Sequence, residues 1–259
     1  NGDGSITLSG GTLTVGSGAF SGDISGANGL TKIGTGTLVL SGANSFTGAA
    51  TVNNGTLELQ GGNAIDDTAA VIVNATASPA ASGNLLVSTA ETIGSLSGNG
   101  GTVVLDADLT TGDASNTTYA GVISGVGSLT KQGTGTFTLT GANTYSGGTV
   151  INDGTLEGNT TSLQGDIVAN AAGTLLFTQP ANGTYAGAIS GAGTVIKAGA
   201  GTLTLTGDNS AHSGVTNLNG GTVSIGAANN IGTGTLAFDG GTLNTTGTLT
   251  LANAVTLGV

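Results

Sequence analysis

Self-similarity constrains this chain more than any other feature. One module starts at Phe20 and reads FSGDISGANGLTKIGTGTLVLSGANSFTGAATVNNGTLEL. A second starts at Tyr119 and reads YAGVISGVGSLTKQGTGTFTLTGANTYSGGTVINDGTLEG. A third starts at Tyr185 and reads YAGAISGAGTVIKAGAGTLTLTGDNSAHSGVTNLNGGTVSI. The modules cover residues 20–59, 119–158 and 185–225, and align without a gap from the aromatic to Asn44, Asn143 and Asn209. The third then carries one extra residue near His212. Lys32, Lys131 and Lys197 are all the basic residues of the chain, and they share one module position. A fixed period of this kind has to be read before any local pattern.

A finer period runs inside the modules. Gly-Thr followed by Leu, Val or Phe recurs at Gly36 and Gly55, a step of 19, and at Gly135, Gly154, Gly173 and Gly193, in steps of 19, 19 and 20. Gly201, Gly221 and Gly241 continue it in steps of 20. Around each glycine the residues alternate, as in Leu38 and Leu40 around Val39, or Leu203 and Leu205 around Thr204. Period two marks a strand with one buried face. Asn54-Gly55 and Asp153-Gly154 break the strands as turns. No long stretch has helical periodicity with caps.

A strand-and-turn unit of 19–20 residues is too short for a propeller blade and fits one rung of a solenoid, stacked on its copies. The expectation is an all-β, right-handed parallel β-helix, with parallel strands about 4.8 Å apart. Dividing 259 residues by the period gives roughly 13 rungs. Leu38, Leu57, Leu139, Leu156, Leu175, Leu203, Val223 and Leu243 should point inward. The chain reads as one continuous segment over 1–259. Residues 61–115 are the least regular: two or three degenerate rungs with a loop around Pro79, after which Gly101-Thr102-Val103 resumes the motif.

Composition supports folding. Mean hydropathy is +0.27 with only 7% charged residues, the reverse of a disordered chain. Aromatics are 3%, so Leu, Val, Ile and Ala must fill a thin core. A net charge of −11 with three lysines and no arginine argues against nucleic acid, whose binding depends on several cations releasing counterions. No run of 18 apolar residues offers a spanning helix. Asn1–Gly10 has neither the basic nor the apolar part of a signal peptide. The absence of cysteine excludes disulfides and thiolate metal sites.

The stretches Leu30 to Gly48 with Asn54 to Leu57, Leu129 to Thr149 with Asp153 to Leu156, and Val195 to Gly214 with Gly220 to Val223 resemble the autotransporter-associated β-strand repeat. That repeat is also called the passenger-associated transport repeat of type V secretion. The third module departs from the pattern at Asp208, Ala211 and His212. The resemblance implies a β-helical passenger at the bacterial outer-membrane surface or outside the cell. Its repeats would support folding and export, and its parent would be anchored by an outer-membrane β-barrel. It implies a structural or adhesive stalk, with host surfaces or neighbouring cells as partners.

Candidate chemistry is sparse. His212 with Ser210, Ser213 and Asp208 contains the residue types of a nucleophilic triad, but His212 sits where Phe46 and Tyr145 sit, so a turn side chain is expected. A metal site lacks ligands. The lysines are expected at strand corners, stems on apolar surface and heads in water. Glu58 and Glu157 should point outward and discourage lateral association. Asp66/Asp67 and Asp106/Asp108 are the only carboxylate pairs that suit glycan cleavage, and arginine and tryptophan are missing to hold sugars. The reading is therefore no enzyme, with no catalytic, cofactor-binding or metal residues and no small-molecule substrate. The competing readings are a polysaccharide-cleaving β-helix and a filament subunit. Ile6-Thr7-Leu8 at one end and Leu249, Leu251, Val255 and Leu257 at the other stay in strand pattern without a cap. That favours a piece of a longer β-helix or a subunit that stacks end to end.

Overall fold

The structure is a computed structural model of the chain and describes residues 3–75 and 82–258. The loop expected around Pro79 lies outside the described residues. Its strands form an all-β parallel solenoid. Among the described residues the one helical element is a 3-10 turn, Ala228–Ile231. Among those residues no helix is long and apolar enough to cross a membrane.

Chain packing divides into two compact units. The first comprises Asn1–Thr130 and Thr140–Gly147, the second Lys131–Leu139 and Gly148–Val259. In the first unit, one column stacks Gly18–Phe20, Thr37–Leu40, Gly55–Leu59, Gly83–Val87, Thr102–Leu105 and Val122–Gly125. A second stacks Leu13–Val15, Leu30–Lys32, Ala50–Val52, Ala70–Val73 and Ser95–Ser97. A third stacks Ile6–Leu8, Ile24–Gly26 and Ser45–Phe46. In the second unit one column runs Thr149–Gly158, Ile167–Thr178, Thr194–Ala198, Thr216–Leu218, Leu236–Phe238 and Val255–Leu257. Another runs Gly183–Tyr185, Thr202–Leu205, Thr222–Ile225 and Thr242–Thr245.

Alternation does what period two requires. Leu38, Leu57, Leu85, Val103 and Ile123 pair in register through the first unit, and all are buried. Phe137, Leu156, Leu175 and Val195 do the same in the second, as do Leu203 and Val223. Leu139 is also buried, and Leu243 is half-buried on the inward parity. Each such side chain contributes about 1.5–3 kcal/mol on leaving water. Besides these aliphatic residues, Phe46 and Tyr119 are buried in the first unit and Phe137 and Phe177 in the second.

The strands make about 12 turns, in keeping with the roughly 13 expected. The step is not uniform: Leu57 stacks on Leu85, 28 residues on. The evenly spaced Gly-Thr motifs belong to different columns. Thr174 pairs with Thr194 in one, whereas Thr202 pairs with Thr222 and then Thr242 in another. The short step from Gly193 to Gly201 thus turns a corner within one rung.

Candidate functional site

Each module buries one lysine and one asparagine. Lys32, Lys131 and Lys197 are each no more than 1% exposed, which corrects the expectation of heads in water. Each follows an inward residue two positions earlier, in the strands Leu30–Lys32, Leu129–Lys131 and Thr194–Ala198. Period two therefore points the lysine stem inward too. Each ammonium then meets backbone oxygens at a turn. Lys32 Nζ donates to the carbonyls of Ile33 (2.8 Å), Gly34 (2.7 Å) and Asn54 (2.9 Å). Lys131 Nζ donates to Gln132 (2.8 Å), Gly133 (2.6 Å) and Asp153 (3.2 Å). Lys197 Nζ donates to Ala198 (2.8 Å), Gly199 (2.7 Å) and Gly220 (3.0 Å). An ammonium has three N–H donors, and three carbonyls take them. Burial pushes the Lys32 and Lys197 amines below their ordinary range.

Glycine makes this cage possible. Gly55, Gly154 and Gly221 follow the third carbonyl, with φ of +67°, +66° and +63°. A Cβ on Gly55 would lie 2.4 Å from Gly34 O and 2.7 Å from Lys32 Nζ. On Gly221 it would lie 2.4 Å from Gly199 O. Both the backbone angle and the space exclude a side chain.

The module asparagines form a second set. Asn44 Oδ1 accepts from the Ile24 amide (2.7 Å), and its Nδ2 donates to Ala64 O (2.8 Å) and Gly42 O (3.2 Å). Asn209 Oδ1 accepts from the Ile189 amide (2.7 Å), and its Nδ2 donates to Asn230 O (2.5 Å). Asn143 Oδ1 accepts from the Ile123 amide (2.8 Å). Asn44 and Asn209 thus each tie their own rung to the rung before and the rung after. All three are at most 5% exposed.

His212 occupies the aromatic position. It pairs with Gly191 as Phe46 pairs with Gly26, and it is as buried as Tyr145. The extra residue is absorbed just before it, where the His212 amide donates to Asn209 O (2.8 Å). Burial pushes its pKa down, against the nearby backbone of Gly191 and Val215. Neither ring nitrogen makes a hydrogen bond of ordinary geometry. Asp208 Oδ1 instead accepts from the Ser210 amide (3.0 Å), so these residues are not brought together as a triad.

Several acidic residues are engaged in turns and cross-rung bonds. Asp66 Oδ1 accepts from the Thr68 amide (2.9 Å) and hydroxyl (2.5 Å), and Asp108 from the Ser128 amide (2.8 Å). Those bonds hold both carboxyls below their usual range. Glu58 accepts from Gln60 (2.6 Å) and Ser88 (2.9 Å), and Glu157 from Thr138 (3.1 Å) and Thr178 (2.7 Å). Both are half-buried on the outward parity and bind neighbouring rungs together. Sequence reasoning missed Glu91, which is 3% exposed and accepts from the amides of Ile65 (2.8 Å) and Ala64 (3.2 Å). Burial pushes its carboxyl up, the two amides oppose this, and the charge of Asp67 adds to it.

The module that carries these bonds has counterparts elsewhere. The passenger-associated-transport-repeat family model matches residues 30–59, 129–157 and 195–225. A curated protein similar to the chain is the Adhesin BmaC autotransporter of Brucella suis biovar 1 (strain 1330). It is 36% identical over 164 residues, which are 60% of this chain and 5% of that protein. The matched part therefore spans only a small piece of the relative. No solved structure matches the chain. Each match to the repeat begins at the first residue of a Leu-Thr-Lys or Val-Ile-Lys triplet and runs past the glycine that follows the ammonium's third acceptor carbonyl. Three stretches of the chain are thus similar to the passenger-associated transport repeat.

Proposed function

We propose that this chain is a non-enzymatic, adhesive passenger segment of a bacterial autotransporter, displayed outside the cell or at the outer-membrane surface. The observation that carries the reading is the threefold passenger repeat on a parallel solenoid, in a chain similar to an autotransporter adhesin. The repeats would serve folding and export, by the cross-rung lysine and asparagine bonds. The parent protein would supply an outer-membrane β-barrel anchor. The surface partner would be a host surface or neighbouring cells. A polysaccharide-cleaving reading is weaker, because Asp66 and Asp108 are committed to backbone amides.

Binding of the purified, fluorescently labelled chain to cultured host cells, and to bacteria of the same kind, tests this. Saturable binding that unlabelled chain displaces supports an adhesive segment. Absence of binding to both, together with release of reducing ends from a polysaccharide, would replace it with the enzymatic reading.

A further inference from the structure

The three lysines share an asymmetry. Two of each ammonium's acceptors lie one and two residues ahead in the same turn, at Ile33 and Gly34, Gln132 and Gly133, or Ala198 and Gly199. The third lies 22 or 23 residues ahead, in the following rung, at Asn54, Asp153 or Gly220. Among the described residues, neither the Lys32 nor the Lys197 ammonium bonds to the preceding rung. The asparagines differ, since Asn44 and Asn209 reach both ways.

We propose that the buried ammonium of Lys32 and of Lys197 is a one-way lock: the side chain ties its turn to the rung that follows, whereas the rung before is held by backbone alone, as where the Ile33 amide donates to Val15 O (2.9 Å) and the Gly201 amide to Gln179 O (2.9 Å). The physics is that of an incomplete cage. With the following rung away, the ammonium keeps two carbonyls and one unmade bond, and an unmade bond of a buried charge is costly. When the rung docks, the third carbonyl completes the cage. The left-handed glycine behind it lets the backbone close over Nζ without a side chain in the way. The inward parity of the lysine, the glycine two residues after it and the glycine at the start of the next strand form one device. All three modules carry it.

Hydrogen exchange on the full chain tests the lock, with Lys32→Met and Lys197→Met as variants. Methionine keeps an apolar stem and removes the donors. In Lys197→Met, amides 198–202 and 219–223 should exchange about tenfold faster, while those of Thr174–Thr178, in the preceding rung, stay within about twofold. In Lys32→Met, amides 33–37 and 53–57 should accelerate, and those of Leu13–Val15 should not. Equal acceleration on both sides, or none, would overturn the proposal. Should either variant fail to fold, the unaltered chain decides by NMR. The expected result is slowly exchanging ammonium protons with couplings to the three named carbonyls. Fast-exchanging ammonium protons would sink the lock. The lock stands apart from adhesion: its failure shows in exchange, and failure of the adhesive reading shows in cell binding.

Discussion

The first module, 20–59, lies whole within one compact unit, and the third, 185–225, within the other, so one motif is built in two separate settings. The frame is the same in both. Lys32 and Lys197 hold equivalent carbonyls, and Asn44 and Asn209 tie equivalent rungs. The filling differs. Phe46 fills its slot with a ring that has no polar atoms, and His212 fills the same slot with two buried ring nitrogens. The comparison teaches that this slot is selected for shape and burial. An imidazole is tolerated there as a neutral ring, and the module gains a sensitivity to acid that the phenylalanine module lacks. The rung beyond also differs. Ala64 gives its carbonyl to Asn44 and its amide to the buried carboxyl of Glu91. Beyond the third module Asn230 gives its carbonyl to Asn209, while its own side chain accepts from the amides of Gly226 and Ala227.

If the frames are equivalent, Asn44→Ala and Asn209→Ala should have the largest effects and similar ones. Each leaves a buried amide and a buried carbonyl without a partner, at about 1–3 kcal/mol per group. Urea unfolding, followed with separate probes in the two units, checks this. A large loss at one site and none at the other would break the comparison. Gly55→Ala and Gly221→Ala come next. Each forces a side chain into a left-handed turn against backbone oxygens, at a cost of about 1–3 kcal/mol, and thermal melting of the variants measures it.

The acid response separates the modules. The folded-state pKa of His212 lies below the ordinary 6.5. As pH falls through 6.5, the unfolded chain binds the proton first, so stability present at neutral pH is lost on acidification. His212→Phe should remove that slope and gain about 1 kcal/mol near pH 5. Phe46→His should install it in the first module. Unfolding midpoints at pH 5 and pH 7.5 read both, and an unchanged slope in His212→Phe contradicts the assignment.

The smallest effect belongs to Glu91. Its folded pKa is raised above the ordinary 4.5. The folded state therefore holds the proton longer, and stability falls as pH rises from that value through the raised one. Glu91→Gln should flatten this slope by less than about 1 kcal/mol, seen as a difference in midpoint between pH 4 and pH 6. The rungs beyond the first module thus weaken on the alkaline side of the carboxyl's titration, and the third module on the acid side of the imidazole's.

Much of this was legible in sequence. Alternation around Leu38, Leu57, Leu156 and Leu203 placed the inward columns, because a strand has only two faces. The slot shared by Phe46, Tyr145 and His212 followed from alignment alone. The lysines were misjudged although the signal was present. Leu30 and Lys32 share a parity, as do Leu129 and Lys131, and Val195 and Lys197. The general rarity of buried lysine outweighed that parity. What could not be read was the convergence of carbonyls from residues 22 or 23 apart in sequence, which only the stacking creates. Glu91 has the same history: it shares its parity with Ile93, and its partners Ala64 and Ile65 lie more than 25 residues away. The split of Gly193 and Gly201 into two columns was hidden because every face of a rung uses the same Gly-Thr motif.

The central claim is the parallel, in-register stacking of rungs, and the chain's lack of cysteine makes it directly testable. Thr202 stands opposite Thr222, and Thr204 opposite Ser224, in neighbouring strands. Parallel partners lie about 4.8 Å apart, within reach of a disulfide, and diagonal ones lie beyond about 7 Å. The pair Thr202→Cys with Thr222→Cys should oxidise to an intramolecular bridge, and Thr202→Cys with Ser224→Cys should not. Bridging of the second pair in preference to the first would mean an antiparallel arrangement and would contradict the solenoid.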